Sequence, residues 1–344
     1  MKKVIGITMG DPAGIGAEII VKALKYKKIF DECIPVVFGD YWPIEDAIKF
    51  CHTNQKINII NKISEAKDEY EIINLINFNN FNENGWQYKV VDAKCGNAAF
   101  EYIISAIEHA MKRKIDAVVT APINKESMNL SGKKYCGHTE IFAEYTKSNN
   151  YAMMLTSPSL KVIHVTTHCA LKDVSSKLSV DRIFNVILLA DKAMKLLGIK
   201  NPRIAVAGLN PHSSENGLFG NEESEKIIPA IEKAKEVGII VDGPVPPDTV
   251  FVKAIAGQYD IVVAMYHDQG HIPLKLSGFK FDIRTNKYTS MSGVNCTVGL
   301  PIIRTSVDHG TAFGKAGEGR ANEESMLDAI DMAIKMAINK EENN

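Results

Sequence analysis

Short apolar runs alternate with amphipathic segments along most of the chain, and this pattern predicts the fold. The runs have the length and the β-branched content of buried strands, whereas the amphipathic segments carry apolar residues on one helical face. Strands that alternate with helices in this way form a largely parallel sheet covered on both faces. The predicted strands are residues 4–9, 34–38, 115–120, 162–166, 204–207 and 261–265, and the predicted helices are 97–113, 180–197, 222–237 and 323–337.

Residues 53–90 show neither pattern clearly. They are rich in Asn, Lys and Ile, and we expect irregular or edge structure there. The chain of 344 residues could form one large domain or two ordinary ones, and chains of this length usually divide into two.

Composition and charge narrow the class of protein. Apolar residues make up 45% and charged residues 24%, which allows a sizeable core. The net charge of −1 gives no attraction to nucleic acid or to an anionic membrane, so neither partner is expected. No apolar leader or membrane-spanning run is present, so we expect a cytoplasmic protein.

Six scattered cysteines have no CxxC or zinc-finger spacing, and they predict reduced thiols rather than a disulfide framework. Cys136, Cys169 and Cys296 lie beside polar motifs. We interpret them as small apolar residues of a pocket wall rather than as nucleophiles.

Three histidines share one position relative to the predicted strands. His168, His212 and His267 each lie just beyond the carboxyl end of an apolar run. Because the carboxyl ends of parallel strands line one crevice, the three imidazoles can face a single point. Three imidazoles with open coordination positions are typical of a catalytic divalent-metal site. Zn²⁺ is favoured, with Co²⁺, Ni²⁺ and Mg²⁺ as alternatives; a hydrogen-bonded pocket residue is the alternative for each histidine taken alone.

A second group of side chains suits an anion. Residues 137–140, Gly-His-Thr-Glu, are typical of a loop that begins a helix. A helix N-terminus together with His138, Thr139, Lys275 and Arg304 would hold a phosphate or a carboxylate. A helix cap without a ligand is the alternative for this segment.

Several motifs occur in an order that is highly specific. They are Thr-Met-Gly-Asp-Pro-Ala-Gly-Ile-Gly at 8–16, Gly-His-Thr-Glu at 137–140, Gly-Leu-Asn-Pro-His at 208–212, Tyr-His-Asp-Gln-Gly at 266–270 and the run 299–312. In this combination the chain resembles the 4-hydroxythreonine-4-phosphate dehydrogenase family, enzymes of pyridoxal 5′-phosphate biosynthesis. The resemblance runs from residue 7 to about residue 325, nearly the whole chain.

The resemblance implies a reaction and an architecture. The reaction is the metal-dependent, NAD(P)-linked oxidation of 4-phosphooxy-L-threonine, followed by decarboxylation to 3-amino-2-oxopropyl phosphate. The fold would be isopropylmalate-dehydrogenase-like, with two α/β/α subdomains and an active-site cleft between them. Residues 1–127 and 302–344 would form the first domain, and residues 128–301 would form the second, which carries the metal and the dimer contacts. A homodimer with the active site at the subunit interface is also implied, so that one metal histidine can come from the partner.

The resemblance also assigns roles by position. The metal ligands would be His168, His212 and His267; the substrate contacts His138, Thr139, Lys275, Asn295 and Arg304; the acidic residues at the reacting centre Asp248 and Asp268; and the coenzyme contacts Gly310, Thr311 and Asn322. The coenzyme segment is similar to the adenosine-binding loop of the isocitrate and isopropylmalate dehydrogenases, which would explain a nicotinamide enzyme without a GxGxxG motif. Asp248 and Asp268 are both open as the general base or as a group that orients a metal ligand.

The sequence departs from the family pattern at two places. An insert, residues 276–294, separates Lys275 from Asn295, and a lid or a dimer-contact loop is the expected role. Gly314 and Lys315 stand where related loops often carry an acidic residue, which leaves NAD and NADP both open.

Two other functional classes use the same residues. A metal-dependent aldolase or phosphohydrolase acting on a small phosphorylated metabolite would need the three histidines and the basic residues but no nicotinamide. A non-catalytic binder of a metal or a phosphorylated metabolite would not need Asp248 and Asp268.

Overall fold

The computed structural model describes residues 2–284 and 287–342. By its internal contacts the chain divides into two compact units. Unit 1 contains the residues up to Asn149 together with Leu300–Glu342, and unit 2 contains Asn150–Gly299. Each unit consists of strands and helices around a sheet, so the predicted α/β class is confirmed.

The strands follow the apolar runs of the sequence and add several that the pattern did not predict. They are β1 (Lys3–Thr8), β2 (Cys33–Gly39), β3 (Lys56–Ile60), β4 (Ile72–Asn77), β5 (Ala117–Thr120), β6 (Ala152–Thr156), β7 (Lys161–His164), β8 (Ile204–Ala207), β9 (Val241–Val245), β10 (Ile261–Ala264), β11 (Phe279–Asp282), β12 (Lys287–Met291), β13 (Val294–Val298) and β14 (Ile303–Val307).

The helices include all four that the amphipathic pattern predicts, although their ends differ from the predicted ones by up to six residues, as at the start of the helix predicted over residues 222–237. They are α1 (Gly16–Ala23), α2 (Lys27–Glu32), α3 (Tyr41–Phe50), α4 (Ala93–Met111), α5 (Lys125–Leu130), α6 (His138–Tyr145), α7 (Val174–Lys177), α8 (Val180–Leu196), α9 (Ile228–Glu236), α10 (Val250–Ile255), α11 (His267–Gly278) and α12 (Glu324–Glu342).

The sheet of unit 1 is wholly parallel. Its strand order is β3-β4-β2-β1-β5-β14. Helices α4 and α12 both pack against β1 and β5. Ile5 and Ile7 of β1 have no exposed surface, as expected for a central strand covered on both faces. The parallel arrangement brings the carboxyl ends of β1, β5 and β14 to one edge of this sheet.

The expectation of irregular or edge structure for residues 53–90 is wrong in part, because β4 lies inside the sheet between β2 and β3. The polar residue Asn74 obscured the strand pattern. It is fully buried, and its amide donates to Pro35 O at 3.2 Å and to Lys67 O at 3.0 Å while its Oδ1 accepts from Lys67 N at 2.8 Å. A buried polar side chain is tolerated in a strand when its hydrogen bonds are made in this way.

The sheet of unit 2 is mixed. Its strand order is β13-β6-β7-β10-β8-β9, with β6 antiparallel to both neighbours and the remaining pairs parallel. The core packs strand residues against α10 and α11; it contains Leu155, Leu160, Val162, Ala205, Ala207, Val245, Val250, Phe251, Ala254, Val262, Ala264 and Leu274.

The insert between Lys275 and Asn295 includes an antiparallel hairpin of β11 and β12. Thr285 and Asn286, within the insert, lie outside the described residues. Among the residues that are described, no helix combines the length and apolar composition needed to cross a membrane.

Candidate active site

Arg304 is an enclosed positive charge in unit 1. It lies in β14, next to β5, and is 2% exposed. Its Nη2 donates to Thr120 Oγ1 at 2.8 Å, and its guanidinium carbon lies 5.5 Å from the centre of the Phe142 ring. Because a guanidinium stays protonated at physiological pH, this position carries a permanent charge. A buried charge of this kind is stabilised by an anion.

His138 lies close enough to Arg304 to be affected by its charge. Burial, together with the neighbouring charges of Arg304 and Lys125, holds the pKa of the imidazole well below its usual value. The ring is therefore neutral at neutral pH. Its Nε2 is buried and makes no hydrogen bond within the part of the chain that the structure describes. Such an atom costs about 1–3 kcal/mol unless a ligand or water bonds to it.

His138 and Thr139 are the first two residues of α6. Gly137 precedes the helix, and none of the described side chains makes a capping hydrogen bond to it. The first N–H groups of a helix and its dipole favour negative charge. Unit 1 thus brings together three of the five predicted substrate contacts, namely His138, Thr139 and Arg304, and all three suit an anion.

Two residues of unit 1 were not given a role from the sequence. Lys125 begins α5, shortly after β5, and contributes to the low pKa of His138. Asp11 follows β1 and is fully buried, and its Oδ1 accepts from Ala13 N at 2.8 Å. Burial nevertheless raises the pKa of Asp11 to about 6. Their place just beyond the carboxyl ends of two parallel strands was the available signal.

The predicted coenzyme residues lie in a loop that contacts the glycine-rich turn after β1. Thr311 O accepts from Ile15 N at 3.1 Å. A Cβ at Gly14 would lie 3.0 Å from Thr311 Cβ, so the glycine permits this close approach. Gly310 is exposed, and Asn322 Oδ1 accepts from Glu324 N at 2.7 Å at the start of α12.

Unit 2 gathers imidazoles at the end of its sheet. His267 begins α11, and its ring centre lies 6.0 Å from that of His168. Two imidazoles that bind one Zn²⁺ through bonds of about 2.0–2.1 Å have ring centres about 5–6 Å apart. His267 Nδ1 lies 2.6 Å from Asp268 Oδ1, which leaves Nε2 as the nitrogen for a ligand bond.

His271 and His164 extend this group, with their ring centres 4.8 Å apart. His271 stacks on His267 with ring centres 3.6 Å apart. His164 is fully buried in β7, and its Nδ1 donates to Met153 O at 3.2 Å. Burial, with the neighbouring His271, lowers the pKa of His164 to about 3, so the ring is neutral.

His212 is presented by a turn after β8. The backbone from His212 to Asn216 has positive φ throughout, a conformation that costs about 1–2 kcal/mol for each residue with a side chain. Among the described residues, no cluster of three or more histidine, cysteine or acidic side chains is placed to hold a metal ion. The meeting of His168, His212 and His267 around one ion stays a prediction.

The other predicted residues of unit 2 have the following positions. Asp268 is largely exposed beside His267, and Asp248 is exposed between β9 and α10. Lys275 Nζ lies 4.7 Å from the centre of the Phe279 ring. Asn295 Nδ2 lies 3.3 Å from Met153 Sδ, and its Oδ1 is buried without a hydrogen-bond partner among the described residues.

Comparison with known proteins identifies the family. The family described as pyridoxal phosphate biosynthetic protein PdxA matches residues 31–333. The D-threonate 4-phosphate dehydrogenase of Salmonella typhimurium is 46% identical over 336 residues, which cover 97% of this chain and 99% of that protein.

Two solved structures agree with this result. The 4-hydroxythreonine-4-phosphate dehydrogenases of Klebsiella pneumoniae and Burkholderia phymatum are each 44% identical and cover 98% of both chains, with TM-scores of 0.86 and 0.84. The resemblance drawn from the motifs is confirmed, and the relatives are dehydrogenases, so the enzyme class is oxidoreductase. The chain belongs to the PdxA family of pyridoxal phosphate biosynthetic proteins.

Proposed function

We propose that this chain is a metal-dependent, NAD(P)-linked dehydrogenase of a four-carbon hydroxy acid that carries a phosphate on C4. The first candidate substrate is 4-phosphooxy-L-threonine, and the product after decarboxylation is 3-amino-2-oxopropyl phosphate, an intermediate of pyridoxal 5′-phosphate biosynthesis. The observation that carries the proposal is the anion site of unit 1, where buried Arg304, neutral His138 and the start of α6 come together.

The substrate has two anionic groups, a phosphate and a carboxylate, and a hydroxyl that is oxidised. Different site residues would bind the anionic groups and the hydroxyl. Arg304 offers a planar set of N–H donors, which suits a phosphate or carboxylate. His138 is neutral, so it gives one directed hydrogen bond rather than a second charge. Lys275 and Asn295 of unit 2 are the remaining proposed contacts. The buried Oδ1 of Asn295 supports its role, since a donor group of the substrate would satisfy it.

The histidines of unit 2 suit a divalent metal. Imidazole nitrogens are good ligands for Zn²⁺ and Co²⁺, whereas Mg²⁺ prefers oxygen ligands. The 6.0 Å separation of the His168 and His267 rings fits two ligands of one ion, with His212 as the third. A bound metal would supply Lewis acidity that lowers the pKa of the substrate hydroxyl.

The two acidic residues take separate roles in this proposal. Asp268 accepts a hydrogen bond from His267 at 2.6 Å, so it orients that imidazole and favours one tautomer. Asp248 is then the candidate general base, which would accept the hydroxyl proton as the hydride leaves carbon.

The coenzyme segment of unit 1 would hold NAD or NADP. The loop that contains Thr311 closely approaches the glycine-rich turn at Gly14, and the adjacent Gly310 is exposed, so a dinucleotide could reach main-chain groups there. A nicotinamide would supply the hydride acceptor. Gly310, Thr311 and Asn322 are the proposed contacts.

A homodimer that completes the active site is part of the proposal. Ile272 and Leu276 lie one turn apart on α11, the helix that begins with His267, and are 59% and 78% exposed. Leu218, close to the turn of His212, is 71% exposed. Exposed apolar side chains on both ligand-bearing segments support a contact with a second copy there. None of the six cysteines, all of which lie in the part of the chain that the structure describes, forms a disulfide bond, and this supports the proposed cytoplasmic location.

D-threonate 4-phosphate is the second candidate substrate. The relative from Salmonella typhimurium, 46% identical, carries that name. This substrate has a hydroxyl on C2 where 4-phosphooxy-L-threonine has an ammonium group. Comparison of kcat/KM for the two compounds, each with NAD and NADP, identifies the preferred pair.

The same assay tests the function itself. Formation of reduced nicotinamide together with release of carbon dioxide supports an oxidative decarboxylase. Cleavage of the substrate carbon chain or release of phosphate without reduced nicotinamide would instead support the aldolase or phosphohydrolase alternative.

A further inference from the structure

The turn that presents His212 needs support from its surroundings. His212 to Asn216 are five consecutive residues with side chains, and their φ angles run from 45° to 74°. The left-handed region is disfavoured for such residues, and glycine or asparagine normally occupies it singly. A run of this length persists only when neighbouring groups fix it.

Glu223 binds the backbone segment that directly precedes the turn. It is 2% exposed, and its Oε1 accepts from Leu209 N and Asn210 N, both at 2.8 Å. Its Oε2 accepts from Asn210 Nδ2 at 2.9 Å. Hydrogen bonds to a carboxylate are stronger than those between neutral groups. One buried side chain therefore holds the backbone that leaves β8 two residues before His212.

The neighbouring Glu222 makes a different set of contacts. Its Oε2 accepts from Asn210 Nδ2 at 2.8 Å, and its Oε1 accepts from Ser175 Oγ at 2.7 Å. It is more exposed than Glu223, and no main-chain N–H of the segment before the turn bonds to it among the hydrogen bonds of the described residues. Glu222 is thus a natural control with the same charge and nearly the same place in sequence.

We propose that Glu223 is a positioning residue for the metal site, which fixes the direction of His212 through the backbone of Leu209 and Asn210. The inference rests on the proposed function, because it takes His212 to be a metal ligand. Glu223 acts through the turn rather than on the ion, since both of its oxygens accept hydrogen bonds from residues 209 and 210. The π-helical turn that Glu223 begins is of a kind that occurs frequently at functional sites.

The test compares Glu223→Gln with Glu222→Gln and His212→Ala in the full chain. Glutamine keeps the shape of the side chain but turns an NH₂ group toward an N–H donor. Each protein is stripped of metal with a chelator and titrated with Co²⁺, with the visible absorption of the cobalt–histidine centre as the readout. Hydrogen exchange of the peptide that covers residues 205–220 reports the turn independently of any metal.

For Glu223→Gln we expect Co²⁺ binding to weaken about 10- to 100-fold, the usual effect of removing a group that orients a ligand. The absorption band should shift, and exchange at residues 209–216 should become faster. Glu222→Gln should stay close to the parent protein in Co²⁺ affinity, absorption spectrum and hydrogen exchange. Should Glu223→Gln fail to give a cooperative melting transition, Glu223→Asp, which keeps the charge but shortens the reach, is subject to the same expectations.

The outcomes separate this inference from the proposed function. If His212→Ala loses Co²⁺ but Glu223→Gln matches Glu222→Gln in affinity, spectrum and exchange, Glu223 does not position the histidine. If His212→Ala binds Co²⁺ as tightly as the parent protein, the assignment of His212 as a ligand is wrong, and the inference about Glu223 is overturned with it.

Discussion

The two groups of predicted site residues differ in how far the fold itself organises them. In unit 1, Arg304 is buried and donates a hydrogen bond to Thr120 of the same unit, and the Nε2 atom of His138 is buried. In unit 2, His267 is partly exposed, and His212 is carried by a disfavoured turn.

The difference has a physical reason. A buried guanidinium beside a neutral imidazole can be fixed in advance by strands and a helix. A metal site is instead completed by the ion, whose binding energy offsets the cost of ordering its ligands. We therefore expect changes in unit 1 to act on substrate affinity and changes in unit 2 to act on metal retention.

The largest expected effect is that of His212→Ala. Removal of a metal ligand should abolish metal retention and turnover together, while the melting temperature of the metal-free protein stays near that of the parent. Metal content after gel filtration and the rate of nicotinamide reduction give the two values. His52→Asn, an exchange at an exposed histidine of unit 1 with positive φ, serves as the control. A His212→Ala protein that turns over near the normal rate would falsify the metal assignment.

Arg304→Ala should lower kcat/KM about 100- to 10,000-fold, because two charge-assisted hydrogen bonds of about 1.5–3 kcal/mol each are lost. Most of the loss should appear in KM, and metal content should not change. Arg304→Lys keeps the charge without the planar donor set, so its kcat/KM should lie between those of Arg304→Ala and the parent protein. An unchanged KM in Arg304→Ala contradicts a role in binding the anion.

Asp11→Asn tests whether burial of the Asp11 carboxyl in unit 1 destabilises the folded state in a way that depends on pH. The pKa of Asp11 is about 6 in the folded chain against a usual 3.8, so the folded state binds the proton more tightly. The contribution of this group to stability is present below about pH 4 and is lost as the pH rises through about 6.

Above pH 6 the variant should therefore be more stable than the parent protein by at most about 3 kcal/mol, since one pKa unit corresponds to about 1.4 kcal/mol. Urea unfolding of both proteins between pH 4 and 7 measures the difference between their free energies of unfolding. Because both proteins contain His138 and His164, the contributions of these two residues cancel. Parallel stability curves across that range would show that Asp11 does not titrate there.

Asp268→Asn sharpens the division of roles within unit 2. Loss of the carboxylate that orients His267 should weaken metal binding about 10- to 100-fold. Asp248→Asn should leave metal binding unchanged but lower kcat, as expected for a general base. Metal titration and steady-state rates separate the two effects, and the reverse pattern would exchange the roles of the two residues.

The sequence predicted the elements whose pattern is local. Strands β8 and β10 are apolar throughout, and β7 is apolar apart from its end residues Lys161 and His164. Helix α8 has one apolar face with Ser179 as its cap. The three histidines could be related to one another because each follows such a run, and parallel strands end at the same edge.

Other parts depend on contacts that no local pattern reveals. Helix α11, which follows β10, contains Gly270 and Pro273, and both residues disfavour a helix. A Cβ at residue 270 would clash with His164 Nε2, so the glycine that lowers the helix propensity is required for the packing of α11. Arg304 likewise lies inside a buried strand, where an arginine is not expected from propensity.

The most direct test of the account is one coupled assay on the unmodified protein. Metal-stripped protein is incubated with 4-phosphooxy-L-threonine or D-threonate 4-phosphate and with NAD or NADP, and then Zn²⁺ or Co²⁺ is restored. We expect reduced nicotinamide and carbon dioxide to appear in equal amounts only after the metal is added. A full rate without metal, or consumption of substrate without reduced nicotinamide, would contradict the proposed reaction.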